Sequence, residues 1–145
     1  MDHPEENRQR LARLLALLRD AEELTKGRRS DFAEVSAFLA ERGVTLLRSR
    51  WQYMLSGSRR SVTDPRLFAG LAEFYGVDVA AFSATAPPVP PELEELLPQI
   101  LEMRRRDLQV MAARMFDGVS PDVSRRISDA LTNERPIESD PFSER

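Results

Sequence analysis

The chain has 145 residues, a formal net charge of −3 and no cysteine, a length that suits one compact domain or a small domain with a helical appendage. Without cysteine, disulfides, zinc fingers, iron–sulfur clusters and thiol catalysis are excluded together, and the single histidine, His3, lies in a polar stretch. Apolar runs such as 14–18 are far below the roughly 18 to 20 residues that span a bilayer, and the polar first ten residues do not read as a secretion signal, so no membrane partner and a cytoplasmic address are expected.

Leu11, Leu14, Leu15 and Leu18 recur at helical spacing, which predicts a first amphipathic helix over about 5–24. Gly27 ends it. Asp31 and Glu34 have the spacing of a capping box, and Phe32, Val35, Phe38 and Leu39 supply the buried stripe of a second helix running to about residue 42. Gly43 permits the left-handed backbone that closes a helix, and Thr45 is a competent cap for the next. The third helix, about 46–56, buries Leu47, Trp51, Met54 and Leu55, leaves Arg48, Ser49, Arg50, Gln52 and Tyr53 on other faces, and stops at Gly57.

Asp64 followed by Pro65 is a cap and first-turn pair for a fourth helix through Leu67, Phe68, Leu71, Phe74 and Tyr75 to Gly76. Asp78 then caps a short last turn in which Val79 and Phe82 form a lid. Residues 1–84 therefore read as one five-helix globule. Residues 85–91 hold four prolines and read as an extended linker. A long helix over 91–116, bent at Pro98, carries an apolar stripe, and a final helix from Ser120 carries Val123, Ile127, Ala130 and Leu131. Residues 92–133 form a two-helix C-terminal unit, and 134–145 a disordered tail. No strand-period segment or nucleotide-binding glycine motif is present, so the fold class is all-α.

Charge is placed unevenly. Between Gly43 and Thr63 there are four arginines, Arg48, Arg50, Arg59 and Arg60, and no acid, whereas acids collect at Glu92, Glu94 and Glu95. A helix, a tight glycine turn and a short helix with hydrogen-bonding groups outside is the helix-turn-helix pattern. In a major groove, Arg forks onto guanine, Gln pairs with adenine and Ser serves either, while flanking arginines grip phosphates. The competing reading is an ordinary solvated helix face, with Arg59 and Arg60 keeping a loop soluble. The absence of acids weighs against it.

The segments EVSAFLAERGVT, WQYMLSG and LAEFYGVDVAAF, spread over residues 34–82, carry a more specific signal. In the order of their apolar, glycine and aromatic landmarks they resemble the Xre-type helix-turn-helix family, and within it the EspR-like group of actinobacterial nucleoid-associated transcription regulators. The resemblance implies a lambda-repressor-like domain, a nucleoid location and double-stranded DNA as partner, with Arg48, Ser49, Gln52 and Tyr53 reading bases. Arg50, Arg59 and Arg60 are the phosphate candidates. It further implies pairing through the C-terminal helices, with Leu97, Leu101, Leu108, Met111, Met115, Ile127 and Leu131 in the interface of a homodimer or a higher oligomer. The apolar stripe agrees, since one short helix is its only cover within the chain.

The spacing from Thr45 to Gly57 exceeds a minimal turn and recognition helix by about two residues, so the third helix starts at Leu46 or nearer Arg48. Two other readings stand beside DNA binding: a protein-interaction adaptor that keeps the fold, and a ligand-sensing or antitoxin-type regulator using Met103, Met111 and Met115 as a pocket. An enzyme is the poorest fit, because no positioned histidine, cysteine or phosphate loop is present. No cofactor is expected.

Overall fold

The computed structural model of the chain describes residues 4–116 and, beyond them, Asp122, Arg125, Arg126, Asp129 and Ala130, all five helical. Among the described residues the chain is all-helical. Within residues 4–116 five α-helices follow in order: α1 (Pro4–Lys26), α2 (Phe32–Glu41), α3 (Arg48–Ser56), α4 (Pro65–Tyr75) and α5 (Leu97–Met115), with short 3₁₀ turns at Val79–Phe82 and Pro91–Leu93. Two compact units result, Met1–Ile100 and Leu101–Arg145.

In the first unit α1 packs along α3, and α2 along α4. The predicted leucine stripe of α1 is buried, with Leu15 and Leu18 essentially inaccessible, and it meets Val35 and Leu39 of α2, Trp51 and Met54 of α3, and Leu67 and Leu71 of α4 in one apolar cluster. The interval between α2 and α4 is narrow because Gly70 is a glycine: a Cβ there would overlap Leu39 Cδ2. Phe82 stacks on Phe68 with centroids 5.1 Å apart. Val79, expected beside it as a lid, is instead exposed, since the 3₁₀ turn directs Ala81 and Phe82 inward.

The three predicted acidic caps, Asp31, Asp64 and Asp78, all form. The Glu34 amide donates to Asp31 Oδ1 at 2.9 Å, with the reciprocal bond from the Asp31 amide to the Glu34 carboxylate. Asp64 Oδ1 accepts from the Arg66 and Leu67 amides, with Pro65 in the first turn of α4. The α1–α2 connection holds buried charge that periodicity does not reveal. Glu22 accepts from the Ser30 amide at 2.6 Å and from its hydroxyl, and Asp20 pairs with Arg29. A carboxylate buried with these donors is tolerable, and its loss would orphan them.

The stretch after Tyr75 departs from the expected linker. Pro90 and Leu93 are buried, Ile100 is fully buried in the same core, and Glu92 accepts from the Asp78 amide at 2.6 Å. Proline-rich backbone suits an extended path, and here that path carries anchors into the first unit. The unit boundary consequently falls after Ile100 rather than at 85–91. The single helix expected over 91–116 is interrupted, and α5 begins at Leu97, placing Pro98 in its first turn, where the missing amide breaks no ladder bond. Leu97, expected in a subunit interface, packs against the core of its own unit.

In the second unit, Leu101, Leu108, Val110, Met111 and Met115 of α5 are exposed, Met115 by 69%. Leu101, Leu108 and Met115 repeat every seven residues with Met111 between, which sets them on one helix face. Ile127 and Leu131, with Val123, lie outside the described residues, as does the expected tail at 134–145.

Candidate nucleic-acid interface

The turn before α3 explains the presentation of that helix. Gly43, at φ +74°, closes α2: its amide donates to Ala40 O at 3.0 Å and the Val44 amide to Leu39 O at 2.9 Å, the paired bonds of a Schellman motif. From there burial alternates: Val44 in, Thr45 out, Leu46 in, Leu47 out. Alternation of this kind belongs to extended backbone, and it holds off the helix until Arg48. Thr45 is therefore not the cap. Leu47 occupies that position with extended torsions and no side-chain hydrogen bond. Its side chain, expected in the core, is 62% exposed, because Leu46 takes the inward place.

Along α3, Trp51 and Met54 face the core while Arg48, Ser49, Gln52 and Ser56 face solvent. The seven residues predicted to bind nucleic acid do not behave alike. Arg48 is exposed, and its guanidinium lies 4.6 Å from the centre of the Phe32 ring at the start of α2. Stacking fixes the plane of a guanidinium and leaves its N–H edges directed outward. Ser49 and Gln52 are exposed on the same face. Tyr53 is half-buried and packs on the core.

Arg50 is turned towards α4, with its Nη1 3.7 Å from Asp64 Oδ2. The same carboxylate thus caps α4 and neutralises an arginine of α3. Arg59 and Arg60 are exposed in the following loop, and Arg59 holds a left-handed backbone, φ +67°, uncommon for a side chain of its size. The loop is tied to the start of α1 by the Ser61 hydroxyl, which donates to Pro4 O at 3.0 Å.

Three further residues belong to this surface. Phe32 orients Arg48. Arg66, in the first turn of α4, donates to Gly43 O at 3.3 Å and adds a cation beside the turn. Leu47 adds an exposed apolar group at the tip of α3. No local signal marks these three: adjacent Leu46 and Leu47 are alike in the sequence and differ only in burial, and the other two join segments distant in sequence. Arg42, by contrast, is engaged: it forks onto Glu73 with both bonds at 2.9 Å and stacks 3.5 Å from the Phe38 ring centre. Beside that guanidinium the Glu73 carboxyl is held below the usual carboxylate range.

Among the described residues no cluster of histidine and carboxylate side chains is placed to hold a metal ion. The methionine pocket considered above is a surface hollow of about 350 Å³ lined by Asp107, Val110, Met111, Arg114 and Met115; Met103 is not part of it. No helix among the described residues is long and apolar enough to cross a membrane. Compared with protein-family models, characterised proteins and solved structures, the chain finds no match in any of the three.

Proposed function

We propose that the chain is a dimeric DNA-binding protein of the helix-turn-helix kind, a transcription regulator or nucleoid-associated protein, in which α3 enters the major groove. The observation that carries this reading is the outer face of α3: Arg48, Ser49 and Gln52 side by side and exposed, in a stretch from Gly43 to Thr63 that contains no acid. Guanidinium, hydroxyl and carboxamide groups are those that distinguish base edges in that groove. Arg59 and Arg60 supply phosphate contacts, which fix register without reading sequence. Arg50 acts through Asp64 as a positioning residue, and Tyr53 supports the helix from its inner edge.

Two copies joined through the apolar stripe of α5 present two recognition helices, the arrangement that paired half-sites require. A second reading, an interaction adaptor, draws on the net charge of −3. Anisotropy titration of duplex DNA against the full chain separates the two. DNA binding loses affinity steeply with added salt, in proportion to the phosphates contacted, and Arg48→Ala and Gln52→Ala each cost about 1 to 3 kcal/mol on a preferred sequence. A flat salt response, or a double variant that binds like wild type, removes the proposal in favour of the adaptor.

A further inference from the structure

We infer that Leu47 is a specificity-determining residue that contacts the C5-methyl group of thymine. This rests on the DNA-binding reading and names the feature of the duplex that the tip of α3 recognises.

Leu47 stands at a position where leucine serves neither local structure nor the core. It precedes the first turn of α3 with extended torsions and no side-chain hydrogen bond to the free amides, whereas α2 and α4 of the same unit start on the capping carboxylates Asp31 and Asp64. Its side chain is 62% exposed while the adjacent Leu46 is 3% exposed, so the two leucines are not interchangeable contributors to one cluster. Leu47 is also the only large apolar side chain exposed before Val79 among the described residues. The first exposed residues after it on α3 are Arg48, Ser49 and Gln52.

A protein partner that covers a leucine does so with an apolar pocket, and such pockets take up several apolar side chains together. Here a single aliphatic group stands among hydrogen-bonding and cationic ones. The major groove offers the matching surface: donors and acceptors on every base pair, phosphates on both sides, and one apolar group, the methyl of thymine. The exposed leucine at the tip of α3 fits that group while Arg48, Ser49 and Gln52 meet the polar edges.

The test compares a duplex selected by the full chain from a random library with its copy carrying deoxyuridine for every thymine, which removes only the methyl groups. Wild-type protein is expected to lose about fourfold in affinity for each methyl contacted. Leu47→Ala binds the thymine duplex at the reduced level and is indifferent to the replacement. Leu47→Asn, which restores a capping acceptor, melts no lower than wild type and shows the same indifference. Equal wild-type affinity for both duplexes, or a thymine preference retained by the variants, overturns the role of Leu47 while salt-sensitive binding leaves the DNA reading standing. Failure of wild type to bind any duplex at low salt overturns both.

Discussion

Arg50 and Arg48 lie two positions apart on α3, yet their surroundings give them different work. Arg48 rests on the Phe32 ring with its edges outward, and Arg50 is drawn to Asp64. A partly exposed pair of this kind contributes little to stability, about 0 to 1 kcal/mol; its consequence is for charge, since one of the four arginines in the acid-free stretch is neutralised by an acid just beyond it. Asp64→Asn tests this cleanly because asparagine caps as well as aspartate. Stability should change by less than about 0.5 kcal/mol, while the salt dependence of DNA binding steepens by about one phosphate equivalent as Arg50 becomes available. An unchanged slope with unchanged stability would mean that Asp64 does not restrain Arg50.

The packing of α2 on α4 is held both at the surface and in the core. Arg42 and Glu73 tie the ends of these helices at the surface, and Leu39 fills the space over Gly70 in the core. Gly70→Ala removes that space. Leu39 is fully buried and cannot swing aside without disturbing its neighbours, so the variant should lose about 1 to 3 kcal/mol by the usual cost of overpacking, read as a lower midpoint in urea denaturation. A midpoint equal to wild type would show that the α2–α4 contact yields easily.

At the level of the whole chain, the proposed function divides its labour between the two units. The first unit extends to Ile100, buries Pro90 and takes Leu93 and Ile100 into its core, so a chain cut at residue 84 forfeits these anchors together with α5. The second unit begins with an exposed stripe whose burial against a second copy is the proposed basis of dimerisation. Leu108→Glu combined with Met111→Glu, both beyond the first unit, should leave its melting transition in place and convert the protein to a monomer in sedimentation. DNA binding should weaken, because two half-sites are no longer engaged together. A double variant that still sediments as a dimer would exclude this stripe as the interface.

The sequence by itself determined the helices with strong periodicity or strong caps: the leucine face of α1, the Asp31 and Asp64 starts of α2 and α4, the Gly43 turn, and the inward Trp51 and Met54 of α3. These depend on interactions within a few residues, which local spacing records. Only the tertiary structure decided the rest. Which of Leu46 and Leu47 turned inward, where α3 began, whether an arginine faced solvent or an acid on another helix, and that Leu93, Leu97 and Ile100 served the first core all depend on partners remote along the chain. Burial of an apolar side chain is settled by the surfaces that surround it, and those surfaces exist only once the helices have packed.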